Sequence, residues 1–488
     1  MGADDPVPRG AALEAGQVID GFLLEERSHQ GGMASLWRVS KVGSDDPLPL
    51  IMKVPRLKGG DDPTTIVGFE VEQMIMPMLA GVHVPRYVAH GDFTRQPYIV
   101  MERIEGSTLK DRFDAAPIPL DEVVQIGAKV ATALHELHRQ HVIHLDVKPS
   151  NIMFRSTGEA VLLDFGLSRH DHLPDLLEEE FELPMGTGPY MSPEQVQFVR
   201  NDPRSDLFAL GVVLYHLATG ERPFGAPTSV RALRQRLYRD PVPPRTLRPE
   251  CPPWLQEVIL RCLEAKPRNR HQSAAQLAFD LQHPDQTVLT ERATRAGQGG
   301  GLQIARRWFA AIGAEPTADA SAVAQSARSP IVMAAVDVAG AEPALLAAVR
   351  VAAQRLLHTE PGARLACVAV MKTNRIALDE PLADDGSSKH VNLLVQLKHW
   401  ARPVQQALSA NDGAPGSRLT FHVLEAPDAG SAIIDYARNN QVDHIVMGAR
   451  SSGGLRRYLG SVSARVAAEA GCTVTVVRAP AASGDTST

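Results

Sequence analysis

The sequence predicts a multidomain chain with two folds in tandem: an α+β unit of two lobes, then a doubly wound parallel α/β unit. Three observations predict this. Between about Gln17 and Met52, short apolar runs broken by Gly, Asp and Pro read as a small antiparallel sheet. From Leu120 to about His283 apolar residues recur at helical spacing, as in Val123, Val124, Ile126, Val130, Leu134 and Leu137. From Ile331 onward strands and helices alternate, the pattern of a parallel sheet covered by helices on both faces.

In chain order, residues 1–16 form a loose tail rich in Gly, Pro and Ala. Residues 17–283 make the first unit, with a helix over 68–79 and a strand over 98–101 between the sheet and the helical region. Residues 284–328 read as a linker: they hold G-Q-G-G-G and little periodicity, with one short amphipathic helix over 302–312 around Trp308. The second unit spans 329–480. Its strands are expected at 331–337, 364–371, 418–424, 443–448 and 472–478, and its helices at 344–357, 391–409, 430–439 and 461–470. Residues 481–488 are a Gly/Ser/Thr tail.

The bulk numbers exclude several classes. A chain of 488 residues predicts two to four domains, at roughly 150 residues each. The net charge of −6 gives no general attraction to nucleic acid or to an anionic membrane. Cys251, Cys262, Cys367 and Cys472 are scattered, which argues against a disulfide framework or a zinc site and fits a reducing cytoplasm. The N-terminus lacks the apolar core of a signal peptide. The longest apolar runs fall short of the ~20 residues that span a bilayer.

One stretch carries the chemistry: His144-Leu-Asp-Val-Lys-Pro-Ser-Asn151, followed by Leu163-Asp-Phe-Gly166. Phosphoryl transfer needs positioned reactants and cations that spread phosphate charge more than it needs covalent help. Asp146 can accept a hydrogen bond from an incoming hydroxyl, and Lys148 can face the γ-phosphate. Asn151 and Asp164 offer the hard oxygen donors that Mg²⁺ prefers.

On these motifs the chain resembles the Hanks-type serine/threonine kinases of bacteria over residues 17–283. The resemblance implies the two-lobed protein kinase fold, ATP and Mg²⁺ as cofactors, and protein serine or threonine hydroxyls as substrates. It assigns further residues. Lys53 in L-I-M-K sits where the family lysine meets the α/β-phosphates, and Glu72 matches its partner glutamate. Glu70 is a rival on spacing alone, but the F-x-x-E register favours Glu72. Met101 corresponds to the gatekeeper, with the backbone of Glu102 to Ile104 holding adenine. Glu194 is expected to form a buried bridge with Arg270, and Asp206 to brace the catalytic loop. Thr187 matches the threonine that bonds the catalytic Asp and Lys.

Three departures matter. The phosphate-covering loop reads His29-Gln-Gly-Gly-Met-Ala34, so Gly31 and Gly32 are left where the family has three spaced glycines; backbone approach to phosphate is expected to survive, with weakened ATP binding as the alternative. Leu145 replaces the arginine that pairs with a phosphate on the activation loop. The segment from Asp164 to Thr187 agrees, with Ser168 as its one internal hydroxyl and Glu178-Glu179-Glu180 instead. The implication is a kinase independent of loop phosphorylation, and the Glu run by itself reads as a solvated face. His135, His138, His141 and His144 recur every three residues, a spacing that drifts around a helix and cannot converge on zinc.

Residues 329–480 resemble the universal stress protein family. Asp337 falls where ATP-binding members hold adenine. The segment from Met447 to Ser463 resembles their phosphate loop through Gly448, Gly460 and Ser461, in a strand–loop–helix arrangement suited to an anion. Ser451 stands at the second glycine and the loop is one residue short, so nucleotide binding stands beside dimerisation or substrate docking as readings of this unit. A homodimer could pair through residues 473–477. For the whole chain the leading expectation is an active kinase fused to a stress or nucleotide sensor. A pseudokinase scaffold is the rival, opposed by the full set Lys53, Glu72, Asp146, Lys148, Asn151 and Asp164.

Overall fold

The computed structural model describes residues 13–297 and 330–479, except for 31–33, 45, 57–62, 92, 94, 182–183, 361, 374–387, 410–417 and 450–459. The expected helix over 302–312 and the glycines Gly31 and Gly32 lie outside the described residues.

The N-terminal lobe is a six-stranded antiparallel sheet in the order β1-β2-β3-β4-β6-β5. Its strands are β1 (Val18–Ile19), β2 (Phe22–Gln30), β3 (Ala34–Lys41), β4 (Leu50–Pro55), β5 (Tyr87–Gly91) and β6 (Tyr98–Glu102). Alternation along these strands buries Leu24, Val39, Met52 and Val100 on one face. Helix α1 (Pro63–Ile75) packs beside β4 and begins five residues before the sequence pattern suggests.

The C-terminal lobe is helical. Helices α2 (Leu120–His138), α4 (Arg204–Thr219), α5 (Pro253–Cys262) and α6 (Ala274–Gln282) enclose one core, in which Val130, Leu134, Leu210, Leu214, Leu255 and Leu277 are fully buried. Between α2 and α4 the chain forms the paired strands β7 (Val142–Ile143) and β10 (Arg169–His170), the hairpin β8 (Ile152–Phe154) and β9 (Ala160–Leu162), and the short helix α3 (Leu176–Glu180). Past α6 the chain stays attached to this lobe. Glu257 on α5 accepts hydrogen bonds from Thr290, from Arg292 Nε at 2.9 Å and from Ala293 N at 3.1 Å, on and around α7 (Glu291–Thr294).

The second unit is a five-stranded parallel sheet ordered β13-β12-β11-β14-β15. Its strands are β11 (Ile331–Ala335), β12 (Arg364–Lys372), β13 (Leu419–Ala426), β14 (His444–Gly448) and β15 (Thr473–Val477). Helices α8 (Pro343–Thr359) and α9 (Lys389–Ser409) cover one face; α10 (Ala429–Asn439) and α11 (Ser461–Glu469) cover the other. Both faces are apolar, which is why its strands read as continuous rather than alternating hydrophobic runs.

The two units meet. Ile66 and Phe69 of α1, with Phe93 and Ile99, share one buried cluster with Val391, Leu394 and Val395 of α9 and Val423 of β13. The sheet edge at β13 therefore faces the first unit rather than solvent, and α3 lies against it.

Candidate active site

The loop between β7 and β8 carries the residues singled out from sequence. Asp206, fully buried in the first turn of α4, anchors it. Its carboxylate accepts from the backbone N–H of His144 at 2.9 Å and of Leu145 at 2.8 Å, and bonds His138 Nε2 at 2.8 Å. Leu145 sits at φ 60°, a left-handed conformation disfavoured for a residue with a Cβ, and its side chain is buried.

The anchored loop presents Asp146. Its Oδ1 accepts from Thr187 Oγ1 at 2.7 Å and from Thr187 N at 3.2 Å. Its Oδ2 accepts from Lys148 Nζ at 2.6 Å and from Asn151 Nδ2 at 3.1 Å. Lys148 Nζ also donates to Thr187 Oγ1 at 3.0 Å. Four contacts thus fix one carboxylate, and the Asn151 amide that holds it leaves Asn151 Oδ1 as the oxygen end of that side chain.

Lys53 on β4 brings the two lobes together. Its Nζ donates to Glu72 Oε2 on α1 at 2.6 Å and to Asp164 Oδ1 at 2.8 Å. Glu72 is buried, whereas the Asp164 side chain is 45% exposed. The Lys53 ammonium holds the Asp164 carboxyl down at about 2, against the opposing pull of burial. Burial would lower the Lys53 ammonium, but the Asp164 and Glu72 carboxylates outweigh it and raise it. Phe165 is fully buried, with its ring 5.3 Å from that of His144.

Gly68 was not singled out from sequence, although a glycine inside a helical pattern is a signal for close packing. A Cβ there would lie 3.0 Å from the Gly166 carbonyl oxygen, and a Cβ on Gly166 would lie 3.2 Å from the Gly68 carbonyl oxygen. Helix α1 and the Asp164-Phe-Gly turn therefore meet backbone to backbone.

On the hinge side, Met101 is half-buried opposite Ile51, at the end of β6. The Glu102 N–H donates to the Arg86 carbonyl at 2.8 Å, and its side chain accepts from Arg155 Nη2 at 2.9 Å. Ile104 follows two residues on. At the base of the lobe Glu194 accepts from Arg270 Nη1 and Nη2 at 2.6 and 2.8 Å and from Ser205 Oγ at 2.6 Å, the buried bridge expected.

One expectation is corrected. The Glu178–Glu180 run is not a solvated face. Glu178 is exposed, but the Glu179 and Glu180 side chains are 9% and 3% exposed. The second unit covers them: Arg364 Nη2 lies 2.7 Å from Glu179, and His422 Nδ1 lies 3.0 Å from Glu180. Burial by a distant part of the chain leaves no mark in local composition.

In the second unit, Asp337 follows the C-terminal end of β11, and Gly448 ends the neighbouring β14. The chain order reverses between these two strands, the switch point outside which ligands bind in open α/β sheets. Asp337 Oδ1 accepts from Gly340 N at 3.0 Å. A Cβ at Gly448 would approach Leu345 Cδ2 to 2.9 Å, so α8 packs directly on that strand end. Gly460 and Ser461 open α11, and the loop 450–459 lies outside the described residues.

Comparison with known proteins agrees with this architecture. The protein kinase domain family matches residues 61–283, and the universal stress protein family matches residues 330–478. The first match begins after β4, so the strands carrying Lys53 and the glycine loop lie upstream of it. The serine/threonine-protein kinase PknL of Mycobacterium tuberculosis is 31% identical over 271 residues, 55% of this chain and 67% of its own. PknB of Mycobacterium leprae is 38% identical over 186 residues, 38% of this chain and 30% of its own length. The match to PknB thus spans less than a third of that relative. The chain belongs to the protein kinase family. More particularly, it joins a Hanks-type serine/threonine kinase domain to a universal stress protein domain. Among the described residues no helix is long and apolar enough to cross a membrane.

Proposed function

We propose that this chain transfers the γ-phosphoryl group of ATP to serine or threonine hydroxyls of protein substrates. The observation that carries this reading is Lys53 Nζ held between Glu72 at 2.6 Å and Asp164 at 2.8 Å. A lysine so fixed is aimed where the α- and β-phosphates enter, and it ties the position of α1 to the Asp164 turn. Asp146 orients the attacking hydroxyl by accepting its hydrogen bond, and Lys148 meets the γ-phosphate. Asn151 Oδ1 and the half-exposed Asp164 carboxylate are hard oxygen donors that fit Mg²⁺. When bound with ATP, Mg²⁺ neutralises the charge that builds on the phosphates. The backbone from Glu102 to Ile104, beside Met101, takes the adenine, and the family resemblance assigns Gly31 and Gly32 to the phosphates. Thr187, bonded to both Asp146 and Lys148, supports serine or threonine over tyrosine as the acceptor. Four cysteines without disulfides support a reducing, cytoplasmic setting.

The test is transfer from γ-labelled ATP with Mg²⁺ to the chain itself and to myelin basic protein. Wild type is expected to label both, and Asp146→Ala and Lys53→Met neither. No transfer by wild type above the Asp146→Ala level would leave the pseudokinase reading in its place.

The stress protein unit supports a second reading, a nucleotide held at the β11/β14 switch point by Asp337, Gly448, Gly460 and Ser461. Photolabelling the whole chain with azido-ATP tests it. Labelled peptides from residues 330–479 that disappear in Asp337→Ala support it, and label confined to residues 13–297 refutes it. The edge position of β15 also supports a homodimer through this unit, which sedimentation as a monomer at all concentrations would exclude.

A further inference from the structure

The kinase reading leaves the activation segment without its usual means of ordering. Leu145 cannot bind a phosphate, and its side chain is buried. Between Asp164 and Thr187 the one hydroxyl is Ser168, which is 1% exposed and donates to the His144 carbonyl at 3.1 Å. It is not accessible to a phosphorylating enzyme. The segment nevertheless sits in register with the catalytic loop, as Thr187 on Asp146 shows.

The stress protein domain holds it instead. On α3, Glu179 receives Arg364 Nη2 at 2.7 Å and Nη1 at 3.3 Å, and the Tyr436 hydroxyl at 3.0 Å. His422, fully buried on β13, lies 3.2 Å from Glu179 and 3.0 Å from Glu180. An arginine fork on a carboxylate is the geometry that an arginine fork on a phosphate would have. A second grip falls on α1. Lys398 of α9 pairs with Glu70, and its ammonium lies 5.0 Å from the Phe93 ring centroid and 5.5 Å from that of Phe421. Glu70 and Glu72 are two residues apart, so they project from nearly opposite sides of the helix. Lys398 therefore pins α1 from outside while Lys53 holds it from inside. Ile66 and Phe69, on the outer side of α1, are sealed by Leu394 and Val395.

We propose that Arg364, His422, Tyr436 and Lys398 of the stress protein domain are positioning residues for phosphoryl transfer. They fix Glu179 and Glu180 of the activation segment and Glu70 of α1, in place of the arginine–phosphate pair that Leu145 removes. The domain is then a built-in activator, and anything that shifts α9 or β13 changes the kinase rate. This inference rests on the kinase reading.

The test uses the full-length chain, with kcat and KM for ATP measured on myelin basic protein. Glu179→Arg and Arg364→Glu are each expected to lower kcat at least tenfold with KM for ATP within about twofold. The double variant Glu179→Arg/Arg364→Glu restores the pair with reversed polarity and is expected to recover a large part of kcat. Arg364→Lys, which keeps the charge and loses the fork, is expected to fall between wild type and Arg364→Glu. Thermal unfolding of every variant separates loss of fold from loss of positioning, and Arg364→Lys keeps the question open to measurement if a reversal unfolds the chain. If wild type transfers phosphate and both reversals keep kcat within twofold of it, the inference is wrong while the kinase reading stands. If wild type transfers no more than Asp146→Ala, the kinase reading fails and takes this inference with it.

Discussion

Glu70 and Glu72 lie on one helix, two residues apart, and are held by lysines from different domains: Lys398 on the outer side and Lys53 on the inner. The inner pair belongs to the candidate chemistry. Lys53→Met removes the cation and leaves the buried Glu72 carboxylate without it. Phosphoryl transfer is expected to fall by ~10²-fold or more, the scale of removing one preorganised charge from a transition state. Glu72→Gln keeps shape and a hydrogen bond, so its loss is expected to be smaller. Rates on myelin basic protein for both variants, beside their circular dichroism, check the order.

The Glu194–Arg270 pair is structural. Arg270 has no exposed side-chain surface, and Glu194 accepts three hydrogen bonds, two of them from Arg270. Removing one partner strands a buried charge, which costs ~3–5 kcal/mol. Glu194→Ala and Arg270→Ala are each expected to lower the unfolding free energy by that amount, seen as a lower urea midpoint with unchanged slope. A cost below ~1 kcal/mol, the value of a surface pair, would contradict the burial described.

Asp164 titrates far from neutrality. Lys53 holds its carboxyl at about 2, below the ordinary 3.8. A group depressed on folding stabilises the fold above its unfolded value, and that contribution disappears as pH falls through the folded one. Here the window runs from about 3.8 down to about 2. The contribution is modest because the side chain is 45% exposed and solvent screens it. Between pH 7 and 4 a carbon-13 titration of Asp164 is expected to show no protonation, so any acid limb of the rate profile belongs to another group. In Lys53→Met the burial that opposes the lysine is left alone, and the same signal is expected to titrate higher.

The candidate site was legible in the sequence because the proposed chemistry dictates spacing. An acid, a lysine two residues on and an asparagine five residues on must line one loop, and they do so at Asp146, Lys148 and Asn151. The register F-x-x-E placed Glu72 rather than Glu70 inward, as the 2.6 Å contact with Lys53 records. The α/β alternation likewise placed every strand of the second unit to within two residues. What the sequence hid was contact between units. Glu179 and Glu180 look solvated because their cover, Arg364 and His422, lies in another fold. Gly68 carried a weak local signal whose reason, the Gly166 backbone, became visible only when α1 and the Asp164 turn came together.

The apolar half of the domain contact gives a last expectation. Leu394 is 2% exposed and packs in the cluster with Ile66, Phe69 and Phe93, while the core of each domain is built from other residues. An ionised carboxylate loses its hydration in that apolar cluster, so Leu394→Asp disfavours docking without entering either core. Docking couples the two folds, and the wild-type chain is expected to unfold in a single calorimetric transition. Leu394→Asp is expected to split it into two, with helix content retained at the start. Leu394→Ala, which costs ~2–4 kcal/mol where a buried leucine is truncated, is expected to broaden the transition and lower its midpoint. A single transition for Leu394→Asp at the wild-type midpoint would show that the cluster does not couple the domains.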